Sequence, residues 1–366
     1  MFSDLPQRQQ KFIKVWITVV AIIFVALGFL SVNIVAGEKQ TANRNHLLRM
    51  APGTVESGKT PPDPLPTNTN FTAVNIGTYL DGIEIVSIKD SYWTATFYIW
   101  FRWKGDKSLD PGKSFRLVDA KIEKKDLQDS YASPDGINYQ CYKVVAKMTK
   151  FFNTTRVPLD DHMLNIYIED TSRDVSQFRY VTDSGTNISS RVKVPGYTVT
   201  GFSNVVKPHT YKTTYGDPRM QEGKHTTYSE YNFAVTIKRA GLGVYIKLFI
   251  GLFAGVILTL GSFFIRPSDT GPRFGLPSAA YFGAVANTYM VNSMMPSSGQ
   301  FGLADLVTGI GLFTISLCVG ATLMSGYYFL RKDEKEFSKH LDSVSWVAIG
   351  IGYIAVNIVL PIAAFY

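Results

Sequence analysis

The sequence predicts a β + α membrane protein, in which an extracellular antiparallel β-sandwich is followed by a four-helix transmembrane domain. Two observations predict this class: a long polar stretch with strand-like alternation, and apolar segments near the end of the chain. A further apolar segment, Phe12–Ala36, comes before the polar stretch. We divide the chain into an N-terminal anchor or signal segment (1–37), a proline-rich linker (38–70), a β-sandwich (71–239) and a helical membrane domain (240–366).

The N-terminal segment has two interpretations. Arg8, Lys11 and Lys14 precede the apolar stretch, as in a secretory signal, but a signal has an apolar core of only about 7–15 residues. The stretch here is longer, and only Val35-Ala36-Gly37 offers a weak cleavage site. An uncleaved anchor is therefore favoured, and a removed signal stays open.

The polar part of the chain separates into a linker and a strand-rich domain. Residues 38–70 contain scattered prolines without periodicity, which is typical of a linker. From Phe71 the chain alternates apolar and polar residues, as in Gly82–Ile88, and turn sequences such as Pro134-Asp135-Gly136 recur. Many short alternating strands joined by turns predict a sandwich.

The last 126 or so residues predict helices at about 241–265, 274–295, 303–330 and 344–365. A spanning helix needs about 20 mostly apolar residues, and the first, third and fourth of these segments satisfy that requirement. The second segment is long enough, but it is rich in small residues and holds Asn287 and Asn292. Such a helix fits best inside a bundle, where it faces water. An outer domain followed by four helices, of which the second is a candidate pore lining, is the layout of a gated channel.

Positive charge predicts the orientation in the membrane. Basic residues cluster before the N-terminal apolar segment, between the predicted helices 241–265 and 274–295, and before the predicted helix 344–365. All three clusters fall on the inner side if every segment spans and the N-terminus is inside. We therefore expect a multi-pass protein of the cell membrane, the inner membrane in a bacterium, with residues 38–239 on the extracellular or periplasmic side.

Catalytic and cofactor motifs are missing from the sequence. None of the five histidines stands at metal-ligand spacing from another histidine or from Cys141 or Cys318, and no phosphate loop or nucleophile elbow occurs. We therefore expect no enzyme, no cofactor and no metal site. The net charge of +8 is explained by membrane topology, so nucleic acid is not an expected partner.

The chain from Arg239 onward resembles the pentameric ligand-gated ion channels, the Cys-loop receptor superfamily. The marks fall in family order: Arg239 at the end of the last outer strand, and Ser262–Ile265 at the end of the first channel helix. Gly271-Pro272-Arg273 then opens the pore helix, Met295-Pro296 closes it, and Asp305 begins the third helix.

The outer domain resembles the family more loosely. Phe97–Trp103 is similar to the strand that ends in the family's W-x-D, and Val157–Asp160 is similar to the signature loop. Lys150 and Leu164 stand where the loop cysteines would be, so the resemblance is to the prokaryotic type. The sequence departs from the family pattern at two places. Gly251 replaces the proline that is usual in the first channel helix, and no W-x-P-D segment occurs between Arg116 and Tyr139.

The resemblance implies a homopentamer in the lipid bilayer whose second channel helix lines an ion pore. Helical spacing alone places six residues of that helix on one stripe, which would also suit a packed helix face. The resemblance favours a pore lining by Gly275, Ala279, Phe282, Ala286, Tyr289 and Ser293. Phe282 is then the expected gate, since an apolar ring stops ions by dewetting. Pro277 is expected in the first helical turn.

Charges at the inner mouth set the expected selectivity. Pro272 and Arg273 occupy the positions where cation-selective relatives have a glutamate and a basic residue, which favours anions weakly. Asp269 stands close enough to counter that preference.

The resemblance also implies coupling and ligand-binding residues. Coupling is assigned to Lys89, Asp90, Asp160, Asp161, Arg239 and Pro296, with the loop Pro296–Ala304, and Asp160 is the expected partner of Arg239. A ligand site between subunits is assigned to Tyr98, Trp100, Arg102, Tyr211, Tyr215, Tyr228 and Tyr231, near the hairpin turn Gly216–Lys224.

Aromatic side chains suit an ammonium ligand, but they are also ordinary in strands, and a small molecule, a proton or an ion remains open as the ligand. The alternative function is a non-conducting membrane sensor that shares the fold.

Overall fold

The computed structural model describes residues 5–56, 58–67, 70–216, 218, 225–296 and 301–365. The chain divides into two compact units: residues 1–40, 153–160 and 240–366 form unit 1, and residues 41–152 and 161–239 form unit 2. The structure thus has mixed helical and strand content, with the strands in unit 2. Parts of two predicted loops, residues 297–300 and residues 217 and 219–224, lie outside the described residues.

Unit 2 contains two β-sheets. The strands are β1 Thr72–Ser87, β2 Tyr92–Lys104, β3 Phe115–Val118, β4 Ala120–Ala132, β5 Ile137–Thr149, β6 Asp161–Asp170, β7 Phe178–Thr182, β8 Asn187–Ile188, β9 Tyr197–Tyr211 and β10 Thr226–Arg239. One sheet has the order β4-β5-β2-β1-β7, with β8 also pairing β1, and the other has the order β3-β6-β10-β9. Pairing is antiparallel except that β7 and β8 run parallel to β1.

Alternating residues of the two sheets form the core of unit 2. On β2, Trp93, Ala95, Phe97, Ile99 and Phe101 are buried, whereas the residues between them are partly exposed. The facing strands contribute buried residues of the same spacing to this one cluster, among them Ile166, Tyr231 and Phe233. The alternation seen in the sequence therefore reports which face of each strand is packed.

Helices make up nearly all of unit 1. They are α1 Gln7–Met50, whose last ten residues belong to unit 2, then α3 Leu242–Gly261, α4 Thr270–Ser293, α5 Leu303–Arg331 and α6 Lys335–Phe365. A single-turn helix, α2 Pro111–Ser114, lies in unit 2. Within the residues that the structure describes, α1, α5, α6 and the segment Leu242–Phe264 are long and apolar enough to cross a membrane, and α4 is not among them.

Several helix boundaries differ from the sequence prediction. Helix α1 extends to Met50, so the first part of the predicted linker is helical. Helix α6 begins at Lys335, nine residues before the predicted start. The first helical residues, Lys335–His340, are mostly polar, but burial of Phe337 and Ser338 holds them in the helix. Helix α4 begins at Thr270, so Pro277 lies inside the helix and not in its first turn as we expected.

Helix α1 packs along α6 within unit 1. Trp16 Nε1 donates a hydrogen bond to Ser345 Oγ at 2.9 Å, and Gln9 donates one to Glu334 at 2.9 Å. Farther along, Phe24 lies so close to Gly352 that a Cβ there would come 2.4 Å from the ring. Lys39 bonds the carbonyl oxygen of Phe365 near the other end. These contacts attach the N-terminal helix to α6, and the choice between an anchor and a removed signal stays a prediction.

Candidate functional site

The six residues of the predicted pore stripe all lie on the exposed side of α4. Gly275, Ala279, Phe282, Ala286, Tyr289 and Ser293 are each exposed in the single chain. The aromatic side chains of Phe282 and Tyr289 are both 74% exposed. The exposed stripe of α4 therefore consists of four small residues and two aromatic residues.

The opposite side of α4 is packed. Its buried residues recur at steps of three or four, the helical period: Arg273, Pro277, Ala280, Ala284, Asn287 and Val291. Asn287 Nδ2 donates a hydrogen bond to the Leu248 carbonyl of α3 at 2.8 Å. Gly255 of α3 lies close to Ala280, where an added Cβ would be 3.2 Å from the Ala280 carbonyl oxygen. Small residues on this face thus allow close helix contact.

The structure separates the two predicted inner-mouth residues. Arg273 is buried on the packed face, and its Nη2 lies 2.7 Å from Asp342 Oδ1 of α6. The positive charge of Arg273 is therefore compensated and does not lie on the exposed stripe. Asp269 is exposed at the residue before α4. The predicted preference for anions rests on Pro272 in place of a glutamate, so it stays a prediction, with Asp269 as the charge that opposes it.

The segment Asn153–Asp160, which contains the predicted signature loop, contacts the start of α5 within unit 1. The Leu303 amide donates a hydrogen bond to the Thr155 carbonyl at 2.7 Å. Gly302 lies so close to this backbone that a Cβ would come 2.3 Å from the Thr155 oxygen. Asp305 accepts a hydrogen bond from the Gly302 amide at 2.9 Å, which caps α5. The loop therefore touches the segment that directly follows α4 in the chain.

Asp160 is buried in the same loop, with Arg156 as a charged neighbour in unit 1. Burial lowers the pKa of the Arg156 guanidinium, and the nearby charges of Asp160 and Glu38 oppose that shift. Sequence reasoning did not single out Arg156, since one arginine in a loop carries no signal. Arg239 belongs to unit 2, where its guanidinium lies 4.3 Å from the centre of the Tyr197 ring. Pairing of Arg239 with Asp160 stays a prediction.

The other predicted coupling residues lie at turns or strand ends. Lys89 and Asp90 are exposed in the turn between β1 and β2, where Ser87 Oγ bonds Asp90 Oδ2 at 2.7 Å. Asp161 is the first residue of β6. Pro296 is half-buried and follows α4.

Three of the predicted ligand-site tyrosines lie together on the face of the β3-β6-β10-β9 sheet that points away from the core. The Arg116 guanidinium lies 5.2 Å from the Tyr211 ring centre and 5.0 Å from that of Tyr228. Tyr215 is 75% exposed, with its ring 6.2 Å from Tyr211. A cation therefore already occupies the space between two of these rings.

Tyr231 does not join this group. It is fully buried in the core of unit 2, where its hydroxyl forms hydrogen bonds with Thr78 and Thr186 at 3.1 and 3.2 Å. Residues three apart on a strand point to opposite faces, so Tyr228 and Tyr231 cannot line one site. The assignment of Tyr231 to the ligand site is corrected accordingly.

Tyr98, Trp100 and Arg102 share the outward face of β2, as the alternation predicts. Their neighbours already contact them: Lys143 lies 5.1 Å from the Tyr98 ring, and Arg102 pairs with Asp183 at 2.9 Å. Trp100 covers Gly77, where a Cβ would come 2.3 Å from the indole. Tyr98, Trp100 and Arg102 thus form a partly exposed wall. The cations Lys143 and Arg102 both already contact protein groups there.

A cluster of ionisable residues that the sequence did not predict lies beside Tyr211 and Arg116. Glu169 of β6, His209 of β9 and Glu230 of β10 hold ligand atoms within 4.8 Å of one another. Burial raises the pKa of Glu230 to about 7, and the hydrogen bond to Glu169 raises the pKa of His209. The three residues are far apart in the sequence and converge through strand pairing alone, so no motif reveals them.

The predicted linker also lies along this face. The Asp63 amide donates to Thr210 Oγ1 at 2.9 Å, and the Asp63 carboxylate pairs with Lys212 and His225. Lys207 Nζ donates to the Thr54 carbonyl at 3.0 Å. These contacts fix parts of residues 54–63 along β9, although their proline-rich sequence predicted only a connection.

A scan against protein-family models and a search of the curated proteins both find no match for this chain.

Proposed function

We propose that this protein is the subunit of a pentameric ligand-gated ion channel, whose outer β-sandwich is followed by four membrane helices. The observation that carries the proposal is the open stripe of α4. A helix that is too polar to face lipid, packed on one side and open on the other, is suited to line water.

Five copies arranged with their stripes toward a common axis would bury the large exposed surfaces of Phe282 and Tyr289. The Phe282 rings would then form an apolar constriction in the middle of the helix, which blocks ions through dewetting. The proposal keeps the weak preference for anions that Pro272 implies at the glutamate position of cation-selective relatives, and Arg273 adds little to it because it is paired with Asp342. Asp269 is the charge that we expect to influence selectivity.

Contacts within unit 1 support a route for gating. The signature loop is bonded to the start of α5, which follows α4 after a short loop. A shift of residues 153–160 would be transmitted to the start of α5, because Gly302 leaves no space between its own backbone and that of Thr155. Unit 2 would supply that shift on ligand binding, with Tyr211, Tyr215 and Tyr228 as the aromatic side chains nearest the hairpin turn.

The proposed topology places the N-terminus and the basic clusters inside and unit 2 outside the cell membrane. Helix α1 then acts as a retained fifth spanning helix beside α6. Its exposed apolar side chains would contact lipid, as the composition of a spanning helix requires.

Conductance of the purified full-length protein in planar bilayers tests the proposal, combined with the subunit count from native mass spectrometry. We expect discrete currents and a pentameric mass. A pentamer that never conducts, under pH changes, divalent cations and a panel of primary amines, would favour the non-conducting sensor. A stable monomer or dimer would contradict the pore arrangement itself.

A further inference from the structure

The outer face of the β3-β6-β10-β9 sheet holds an arrangement that strand pairing makes electrostatically unfavourable. In the antiparallel pairing of β10 with β6, Tyr231 lies opposite Ile168, and Glu230 and Glu169 are the next residues of the two strands. Two carboxylates directly opposite each other repel, and Glu169 is completely buried. Such a pair needs a positive group between its oxygens.

His209 lies at the position where that group is needed. Its Nδ1 is 2.5 Å from Glu169 Oε1 and 3.5 Å from Glu230 Oε2. Across the described part of the chain, Glu230 makes no hydrogen bond, although only 14% of its side chain is exposed. The Glu230 carboxylate therefore has coordination capacity left for a further ligand.

Glu169 is held in a fixed orientation from its other side. Its Oε2 accepts hydrogen bonds from Arg116 Nη2 and from the Tyr211 hydroxyl, each at 2.9 Å. These bonds leave Oε1 directed toward His209 and Glu230. Partners of this kind around a ligand residue are typical of metal sites, where they orient the coordinating atoms.

We propose that Glu169, His209 and Glu230 bind a divalent transition-metal ion of the Zn²⁺ type, through one atom of each residue. Tetrahedral coordination at about 2.0–2.2 Å places ligand atoms roughly 3.3 Å apart. The distance of 3.5 Å between His209 Nδ1 and Glu230 Oε2 fits this value. The distance of 2.5 Å between His209 Nδ1 and Glu169 Oε1 would have to lengthen by about 0.8 Å.

The ligand set decides the class of metal. An imidazole with two carboxylates suits Zn²⁺, Ni²⁺ or Cu²⁺, and the fourth position is left to water. Ca²⁺ takes about 6–8 oxygen ligands and Mg²⁺ requires six, so three protein atoms including a nitrogen suit them poorly. His209, with 38% of its side chain exposed, gives the ion access from solvent.

The site joins β6, β9 and β10 and is independent of whether the protein conducts ions. Its metal would connect both strands of the hairpin that carries Tyr211 and Tyr228, close to their aromatic side chains. We therefore expect metal binding to raise the thermal stability of unit 2.

Isothermal titration of ZnCl₂ into full-length protein in detergent, stripped with EDTA and free of any histidine tag, tests the site. We expect one Zn²⁺ per subunit. Glu230→Gln keeps the shape of the side chain and should weaken binding by more than the roughly 10–100-fold that loss of a residue that only orients a ligand costs, as should His209→Ala. The control variants His225→Ala and Glu123→Gln, on the same unit, should bind as the unchanged protein does.

X-ray absorption spectroscopy at the zinc K edge provides a second readout on the zinc-loaded protein. We expect only nitrogen and oxygen ligands at about 2.0–2.1 Å. Zinc–sulfur scattering would assign the ion to a cysteine and overturn the proposal. So would undiminished affinity in both Glu230→Gln and His209→Ala, affinity lost in His225→Ala, or CaCl₂ binding as tightly as ZnCl₂.

Discussion

Helices α1 and α4 each leave one long face exposed in the single chain, but the two faces differ in chemistry. The exposed side of α1 carries Val25 and Phe29 among other large apolar residues, each about 70% exposed. The exposed side of α4 carries glycine, alanine and serine together with Phe282 and Tyr289, and Tyr281 and Met290 beside this stripe are also exposed. Exposure on its own therefore does not identify a pore; the side chains decide whether lipid or water is the neighbour.

The packed faces of the two helices also differ. Helix α1 packs on α6 mainly through apolar side chains such as Val20 and Phe24, with few polar contacts. Helix α4 packs through a buried ion pair, Arg273–Asp342, and a buried amide, Asn287. Buried charged and amide groups need specific partners, so these contacts bind α4 to one orientation more strictly than apolar contacts bind α1.

Exchange of an exposed phenylalanine for serine should have the largest effect, and only on α4. Phe282→Ser should raise the resting conductance in planar bilayers on the order of tenfold or more, because a polar side chain lets the constriction fill with water. Phe29→Ser on α1, at a phenylalanine of similar exposure, is the matched control and should leave resting conductance unchanged. Equal currents from the two variants would mean that Phe282 is not the gate.

Loss of the buried cation on the packed face of α4 should strongly destabilise the protein. Arg273→Gln leaves Asp342 buried without its partner, which costs about 3–5 kcal/mol. We expect a clearly lower melting temperature in detergent. The control is Arg266→Gln, an exposed arginine just before α4, which should melt as the unchanged protein does. A stable Arg273→Gln variant would show that the ion pair is not needed to orient α4.

Close packing of α1 on α6 should show a smaller effect. Gly352→Ala forces Phe24 to move and should destabilise the protein by about 1–3 kcal/mol. Gly350→Ala, where the new Cβ would lie 3.7 Å from Leu260, should be neutral or slightly stabilising. Thermal melting separates the two, and Phe24→Ala should relieve the cost of Gly352→Ala. Equal melting temperatures of the two glycine variants would show that α1 is loosely attached.

Exposed charge before α4 should have the smallest effect. Asp269→Asn should move the reversal potential in a KCl gradient by a few millivolts toward the chloride equilibrium potential, because a ring of negative charge is removed. The control Asp333→Asn, at an exposed aspartate between α5 and α6, should leave it unchanged. An unchanged reversal potential in Asp269→Asn would place this residue away from the ion path.

Periodicity in the sequence predicted much of the fold. Alternation on β2 gave the correct faces for Phe97 and Trp100, and hydropathy gave α3 and α5 to within a few residues. The misplaced starts of α4 and α6 have a physical cause. Thr270–Arg273 and Lys335–His340 are polar, so hydropathy does not detect them, although backbone hydrogen bonding continues the helices through both segments.

Side-chain partners were harder to predict than faces. The direction of Arg273 depends on Asp342, which is 69 residues away. The Glu169–His209–Glu230 cluster depends on the register of three strands, which the sequence does not encode at any fixed spacing. The Tyr231 assignment is different, since counting residues along β10 would have placed it in the core.

Cysteine accessibility from the aqueous side tests the central claim, that the open stripe of α4 faces water, most directly. In a background of Cys141→Ser and Cys318→Ala, single cysteines are placed along α4 and at Val25 and Phe29 of α1, and a charged methanethiosulfonate is applied. We predict rapid modification with loss of current at the six stripe positions, and none at Ala280, Ala284 or the two α1 positions. Modification without a helical period along α4, or as fast at Phe29→Cys as at Phe282→Cys, would contradict the account.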